Sequence, residues 1–329
     1  MAHLTLALIG ATGAIGKELL ELVEDDERVG ALVPIASRAT KQTHVTFRGE
    51  SIAVRELNPS AFESADVAIA ACPASVGREG YQPLVEEGIP VIDLAGVYGT
   101  EMPIVAAGFQ VGHGNRLREA GVVTAARPEA IVVSRVLKVL KEVAPVLRVS
   151  GTLMMPAALA GRDGVEELSR QVVSMFNSQE APRKHFASGL AFDVIPSWGG
   201  LTERGWAGCE LLNAIQVGML TGIHPQAVAL EVAVLPLFAG MAASIQVDLN
   251  PGWEMEAVLA ALSESEELEL TDPKRLMPRR MVGSTELAVG RVRANLTGTG
   301  LHLWLCCDSQ RVAAQNAVDL LDELIWSDA

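Results

Sequence analysis

Residues 4–16 have the sequence Leu4-Thr-Leu-Ala-Leu-Ile-Gly10-Ala-Thr-Gly13-Ala-Ile-Gly16. An apolar run of strand length ends here in a glycine-spaced turn, and the apolar pattern of residues 19–23 predicts that a helix follows. In such a turn Gly10 permits the sharp bend, Gly13 lets the backbone approach a pyrophosphate, and Gly16 lets the helix pack closely on the sheet. The helix N-terminus adds N–H groups and the positive end of a dipole. We therefore predict a nucleotide-phosphate cradle; the alternative is a purely structural turn in an unrelated α/β protein.

Composition and charge exclude several classes of protein. At 329 residues the chain suits two domains, and 49% hydrophobic residues suffice for a large core. The net charge of -14 disfavours nucleic acid or an anionic membrane as partner, since both repel an acidic surface. The first residues lack a basic region and a cleavage site, so we expect neither a signal peptide nor a membrane span, and a cytoplasmic location. The cysteines lack metal-ligand spacing, which predicts free thiols and no metal site: Cys72, Cys209, Cys306 and Cys307.

Strands and helices alternate along the first part of the chain, and this is typical of a doubly wound parallel sheet. Strands are predicted at 4–9, 31–36, 66–71, 91–93 and 121–125, with a helix ending near Glu87, an irregular excursion over 94–115 and a helix over 128–143. Later, long apolar runs predict strands of a mixed sheet with one covered face, at 149–155, 227–238 and 243–249. Helices are predicted at 164–177 and 208–220, and an amphipathic helix at 310–326.

The predicted second strand ends in Ser37 and Arg38. The end of this strand meets the adenosine ribose in a dinucleotide-binding fold, and an acidic residue there favours NAD. A hydroxyl and a guanidinium instead suit a 2′-phosphate, so we expect NADP. The alternative for Arg38 is a solvated loop arginine.

Several stretches along essentially the whole chain match the motifs of one known family in the same order: Gly10-Ala-Thr-Gly-Ala-Ile-Gly16, Ala36-Ser37-Arg38, Pro90-Val-Ile-Asp93, Gly161-Arg-Asp-Gly164-Val-Glu-Glu-Leu168, Ala191-Phe-Asp-Val-Ile-Pro196, Val289-Gly-Arg-Val-Arg293, Leu303-Trp304, Asp308-Ser309 and Ala314-Gln-Asn316-Ala. With these stretches the chain resembles the aspartate-semialdehyde dehydrogenase family, and in particular its Usg-like branch.

The resemblance implies a Rossmann-type doubly wound domain that binds NADP, formed by 1–129 with the C-terminal helix 310–329. It further implies an α+β domain over 130–309 that has a mixed sheet and supplies catalysis and homodimer contacts. Nucleic acid and membrane are not expected partners, and any other protein partner stays open. The implied cofactor-binding residues are Gly10, Thr12, Gly13, Ala14, Ile15, Gly16, Ser37, Arg38, Ser75 and Asn316.

The family reaction needs a cysteine nucleophile and a histidine acid/base, and this chain has neither at the matching positions. The family motif Asn-Pro-Asn-Cys corresponds to residues 127–130, which places Ala130 at the nucleophile. Met241 takes the place of the histidine and Met155 that of a substrate-binding glutamine. Two arginines for carboxylate and phosphate correspond to Val234 and Gly99. Without a thiolate and a base, the covalent thioester route is closed.

We therefore expect a nucleotide-binding, non-catalytic homodimer that has lost the family activity, the NADP-dependent phosphorylating oxidation of L-aspartate 4-semialdehyde. Two alternatives stay open. The chain could be an active NAD(P)-dependent oxidoreductase for another carbonyl substrate, or a regulatory subunit of a partner protein. Glu129, next to the lost cysteine, is the conceivable replacement nucleophile, although a first-turn glutamate more commonly stabilises its helix.

Overall fold

The computed structural model describes residues 3–37, 43–76, 78–80, 82–109 and 121–323. The chain divides into two compact units, Met1–Arg127 with Ala313–Ala329, and Pro128–Val312. These boundaries lie two to three residues from those that the sequence predicts. None of the helices in the described ranges has the length and hydropathy needed to span a bilayer.

The first unit contains a seven-stranded sheet in which every pair of neighbours is parallel, in the order β5-β2-β1-β6-β7-β9-β8. Its strands are β1 Leu4–Ile9, β2 Val29–Ala36, β5 Arg55–Glu56, β6 Val67–Ala70, β7 Val91–Asp93, β8 Ile104–Val105 and β9 Val122–Ala125. The strands β3 His44–Phe47 and β4 Glu50–Ala53 form a separate hairpin, and the α-helices before residue 127 are α1 Ala14–Glu24 and α2 Gln82–Glu86 in the described ranges. The predicted doubly wound fold is confirmed.

Strand order reverses between β1 and β6, because β2 lies on one side of β1 while β6 and the later strands continue on the other. Ligands of open parallel sheets bind beyond the carboxyl ends of the strands at such a switch point. The loop of residues 10–13 follows β1, and the turn that begins at Ala71 follows β6. The sheet therefore places the glycine-spaced turn at the position where this architecture holds its ligands.

Two predicted elements of this unit differ in the structure. Within the segment predicted to be a helix ending near Glu87, the structure describes the 3-10 turns Ala74–Val76 and Arg78–Gly80 and the five-residue α2. Pro83 lies in the first turn of α2, where its missing N–H needs no partner, whereas a helix continuing from residue 80 would lose a hydrogen bond there. Residues 77 and 81 lie outside the described ranges. The predicted irregular excursion contains β8, which pairs with β9; its residues 110–115 lie outside the described ranges.

The second unit is built on a six-stranded mixed sheet in the order β11-β10-β12-β15-β14-β13. Its strands are β10 Val146–Met155, β11 Val228–Val234, β12 Met241–Leu249, β13 Glu269–Leu270, β14 Ala288–Ala294 and β15 Gly300–Cys307. β10 is parallel to β11 and antiparallel to β12, which in turn is antiparallel to β15. The apolar run predicted to be a strand through Phe238 ends as a strand at Val234, because Pro236 cannot donate to a ladder.

Helices cover one face of this sheet. They include α3 Pro128–Val143, α5 Gly208–Thr221 and α6 Met255–Glu264, while α4 Gly161–Phe176 and α7 Pro278–Met281 lie in the same unit. Leu153, Ala243 and Leu305 lie in register on the covered face and are fully buried. On the opposite face Ser244 and Trp304 are half-buried. The predicted mixed sheet is therefore present, but its opposite face is also covered in part, since Met281 of α7 packs there against Ala242 and Cys306.

The C-terminal helix α8 spans Ser309–Leu321. Its apolar side chains at 314, 317, 318, 320 and 321 belong to the same core as Leu6 and Leu8 of β1. The helix was predicted over 310–326; residues 324–326 lie outside the described ranges.

Candidate functional site

The turn after β1 is shaped by glycines that no other residue can replace without movement. Gly10 has a positive φ of 90°, and a Cβ there would lie 2.4 Å from the carbonyl oxygen of Ala71. A Cβ on Gly16 would lie 2.2 Å from the carbonyl oxygen of Gly10. Gly13 is less restricted, since its Cβ would lie 3.1 Å from that oxygen. The loop, the start of α1 and the turn after β6 therefore pack backbone against backbone.

Helix α1 begins in this turn with an N-terminus that suits an anion. Gly13 is its N-cap residue, without a capping side chain, and its first turn contains no acidic residue. The first N–H groups of a helix have no partner within the helix. Thr12, Ala14 and Ile15 are half-buried, so the loop keeps a solvent-accessible side. A helix start with free N–H groups and no acidic side chain can bind a phosphate without an additional basic residue.

The structure describes three of the four remaining residues that were predicted to bind the cofactor. Ser37 is exposed directly after β2, as the ribose position requires, but Arg38 lies outside the described residues. Ser75 is in the 3-10 turn after β6. Asn316 of α8 is fully buried, and its Oδ1 accepts a 2.9 Å hydrogen bond from the N–H of Ala107. Its Nδ2 has no partner among the described residues.

In the second unit, the predicted degenerate positions converge at one end of the sheet. Met155 ends β10 and lies opposite Val234 at the end of β11. Met154 lies opposite Ala242, so Met155 and Met241 occupy the next position of the same antiparallel pair. At most 2% of Met155, Val234 or Met241 is exposed. Apolar side chains thus fill the positions at which the family resemblance expects polar, substrate-binding groups.

The start of helix α3 lies at the same end of the sheet. Cys307 pairs with Met241 across β12 and β15. Burial raises the pKa of the Cys307 thiol well above its usual value, and nearby acidic groups, Glu129 among them, raise it further. Glu129 is 1% exposed and Ala130 is fully buried. Strand register thus places Met155 and Met241 at this end of the sheet, and Glu129, the neighbour of Ala130, is near enough to Cys307 to affect its pKa.

Burial raises the pKa of the thiols of Cys72 and Cys307, so these two are not activated as nucleophiles. All four cysteines are free. Cys307 is fully buried, and its raised pKa keeps it protonated at neutral pH. Burial raises the pKa of Cys72 to about 11, and Asp93 adds to the shift. Cys209 donates from Sγ to the carbonyl oxygen of Trp198 at 3.1 Å.

A loop over residues 182–195, which we call the strap, covers the Val234 end of the sheet. Its Phe186 and Leu190 are buried in one cluster with Val234. Ile195 and Val234 exchange two backbone hydrogen bonds of 3.0 and 2.8 Å. The strap therefore closes the site from one side with apolar side chains.

Two buried side chains of α4 hold the strap. Glu167 accepts hydrogen bonds from the N–H groups of Lys184, His185 and Phe186, at 3.0, 2.7 and 3.0 Å. Gln171 bonds to the backbone at 182, 190 and 191. Burial alone would raise the pKa of the Glu167 carboxyl, but the three backbone donors outweigh it and lower that pKa. Sequence reasoning missed this clamp; its signal is a Glu/Gln pair four residues apart beside the buried Leu168.

Comparison with known proteins identifies the family. The profile described as "Semialdehyde dehydrogenase, NAD binding domain" matches residues 5–147, and "Semialdehyde dehydrogenase, dimerisation domain" matches residues 137–311. The chain belongs to the semialdehyde dehydrogenase family.

Individual relatives match over nearly their whole length. The aspartate-semialdehyde dehydrogenase of Bacillus subtilis (strain 168) is 25% identical over 98% of this chain and 97% of its own. A "USG-1 protein homolog" of Azotobacter vinelandii is 26% identical over 97% of each chain. The structure of a probable aspartate-semialdehyde dehydrogenase from Pseudomonas aeruginosa superposes with a TM-score of 0.89 at 26% identity, covering 99% of this chain and all of the other.

Proposed function

We propose that this semialdehyde dehydrogenase family member binds a nicotinamide dinucleotide but does not catalyse the phosphorylating oxidation of L-aspartate 4-semialdehyde. One observation carries the second half of the proposal: buried apolar side chains of Ala130, Met155, Val234 and Met241 occupy the positions of the reacting and substrate-binding groups. An apolar, closed pocket would have to desolvate a charged substrate and phosphate without a compensating partner.

The residues present fit the nucleotide. A cradle for the pyrophosphate is formed by the close-packed turn at Gly10 and Gly16 together with the start of α1. That helix start has no capping side chain and no acidic residue in its first turn. The buried Nδ2 of Asn316, without a partner among the described residues, is a further donor in the first unit. When bound, the nucleotide supplies a hydride acceptor or donor. The chain's own part is to hold the phosphates and to favour NADP through Ser37 and Arg38.

Calorimetric titration with NADP and with NAD, followed by an absorbance assay for NADPH, tests the proposal. We expect NADP to bind more tightly than NAD, and the preference to fall in an Arg38→Ala variant, since only the 2′-phosphate loses a charge-assisted contact. With aspartate semialdehyde and phosphate we expect no NADPH above the no-enzyme control. Failure of both nucleotides to bind contradicts the first half, and turnover of ~1 s⁻¹ or more, as in ordinary enzymes, contradicts the second.

We further propose that the chain is a homodimer formed by its second unit. Within the described ranges, every exposed large apolar side chain belongs to that unit, including Val173, Phe176, Phe192 and Val194. Phe176 and Phe192 stack edge to face with ring centroids 6.0 Å apart, although both are largely exposed. Two exposed aromatic rings in contact form an apolar patch, which is the kind of surface that another chain often covers. Light scattering at micromolar concentration should give twice the chain mass of 34.8 kDa, and a monomer mass refutes the dimer.

A further inference from the structure

A cavity of about 310 Å³ lies between helix α4 and the beginning of the strap. Its size is at the lower end of the range for pockets that hold small molecules. The helix contributes four charged side chains spaced three or four residues apart, which puts them on one helix face. The side chains that line the cavity include Asp163, Glu166, Glu167 and Arg170 of the helix and Lys184 and His185 of the strap. The cavity is therefore charged, in contrast to the apolar positions at the end of the sheet.

The buried carboxylate of Glu167 fixes the two walls of this cavity relative to each other. It accepts hydrogen bonds from the N–H groups of Lys184, His185 and Phe186, and a fourth of 3.1 Å from Nε2 of Gln171. A carboxylate with four donors has little capacity left for a ligand. Its role in the cavity is to hold the backbone of the strap at a fixed distance from the helix.

Two opposite charges on these walls are not paired with each other. The Asp163 carboxylate lies 3.8 Å from Nε2 of His185, which is longer than a hydrogen bond. The Lys184 ammonium has no hydrogen bond or ion pair within the part of the chain that the structure describes. Arg170 adds a second cation, and its exposed pair with Glu166 at 3.3 Å contributes little to stability, so the guanidinium can also contact a ligand.

We propose that this cavity binds a small zwitterion, whose ammonium group contacts Asp163 and whose carboxylate contacts Lys184 and Arg170. A simple anion would face the carboxylates of Asp163 and Glu166, and a simple cation would face the two basic side chains. A zwitterion meets an opposite charge at each end. Asp163 and Arg170 are seven residues apart on α4, about 10 Å along the helix axis, so a ligand whose two charges are separated by a short aliphatic chain fits best.

A ligand in this position connects the helix to the strap by ionic contacts. The same strap carries Phe186 and Leu190, which pack against Val234 at the end of the sheet. Binding should therefore stabilise the strap over that end of the sheet. The site does not depend on nucleotide binding or on the dimer, so it stands or falls independently of both.

Calorimetric titration of the unmodified protein with 6-aminohexanoate, hexanoate and hexylamine tests the choice of ligand. The three probes share one aliphatic chain and differ in their charged ends. We expect 6-aminohexanoate to bind at least ~5-fold more tightly than either singly charged probe, because only it makes both charge-assisted contacts. Its binding should also slow amide hydrogen exchange at residues 184–186. Equal affinity for all three probes, or no binding of 6-aminohexanoate at millimolar concentration, overturns the proposal.

Three variants test the residues. Asp163→Asn and Lys184→Met remove one charge each at nearly constant size, and each should weaken binding of 6-aminohexanoate by about 5–10-fold. Arg183→Met is the matched control, since this exposed neighbour does not line the cavity and its Nε lies 3.9 Å from the place of a Cβ on Gly189. It should bind normally. Each variant should melt within ~4 °C of the unmodified protein, which shows that it is folded. Unchanged affinity in Asp163→Asn and Lys184→Met, or an equal loss in Arg183→Met, contradicts the site.

Discussion

Glu167 should contribute far more to stability than its neighbour Glu166, although both are glutamates on one helix. Glu167 is 4% exposed and accepts three backbone hydrogen bonds from the strap. Glu166 is 42% exposed in its side chain and pairs with Arg162 and Arg170 at 2.9 and 3.3 Å. Each change to alanine removes one carboxylate, so the difference in stability between the two variants measures what the hydrogen bonds of Glu167 to the strap contribute.

The expected magnitude follows from the donors that Glu167→Ala leaves without a partner. Stranding a buried donor costs about 1–3 kcal/mol. The N–H of Phe186 is buried and incurs the full cost, whereas Lys184 and His185 are less buried, so that water replaces part of their lost bonds. A total of about 3 kcal/mol is expected, which lowers the melting temperature by roughly 6–12 °C at ~2–4 °C per kcal/mol. Glu166→Ala should change it by less than ~2 °C, since exposed pairs contribute little.

The assay measures thermal unfolding and amide hydrogen exchange of three variants, Glu166→Ala, Glu167→Ala and Glu167→Gln. In Glu167→Ala the amides of Lys184, His185 and Phe186 should exchange faster than in the unmodified protein. Glu167→Gln keeps one acceptor oxygen, so its exchange rates should lie between those of the unmodified protein and of Glu167→Ala. Because the folded pKa of Glu167 is lowered, its contribution is complete above the unfolded value near ~4.3 and is lost as pH falls through the folded pKa. The gap between the unmodified protein and Glu167→Gln should therefore close at acid pH. Equal melting temperatures of Glu166→Ala and Glu167→Ala would refute the clamp.

Three further outcomes are expected. Gly16→Ala should abolish nucleotide binding in calorimetry, because its Cβ would lie 2.2 Å from a backbone oxygen, while Gly208→Ala, with open space around its Cβ, should bind normally; normal binding by Gly16→Ala would contradict the cradle. Asp308→Ala should lower stability by about 1–2 kcal/mol, since its carboxylate caps the start of α8 and accepts from one further N–H at 2.9 Å, and an unchanged denaturation midpoint would exclude this role. Ala130→Cys should form no NADPH from aspartate semialdehyde and phosphate, because Met241 supplies no base and base loss costs about 10²–10⁴-fold, so a measurable burst would overturn the reasoning.

The sequence predicted most of the first sheet, because buried parallel strands are continuous apolar runs bounded by turn residues. The prediction failed for segments whose conformation depends on contacts with other parts of the chain. The two residues of β8 form a strand only because β9 lies beside them. The segment before Glu87, predicted as one helix, contains two 3-10 turns and the short α2, which has Pro83 in its first turn, and the apolar pattern does not reflect this proline.

The candidate site was predictable in part. Residue matching located Met155, Val234 and Met241, and strand register brings these three positions to one end of the sheet. The strap was not predicted, because it depends on Glu167 and Gln171 bonding to backbone groups up to twenty residues away. Polar side chains that hydrogen-bond to backbone groups distant in the sequence produce no periodic pattern.

Strand register also explains how apolar residues fit the sheet at the positions that the family resemblance assigns to polar groups. Met155 and Val234 continue the alternation of Leu153 and Val232, so they extend the covered face of the sheet to its last residue. Met241 does the same for β12. At such positions an arginine or histidine has to be desolvated and therefore needs a partner, whereas an apolar side chain only adds to the core. Polar groups at the end of these strands thus cost folding free energy unless a substrate or partner compensates them, whereas Met and Val at these positions avoid that cost.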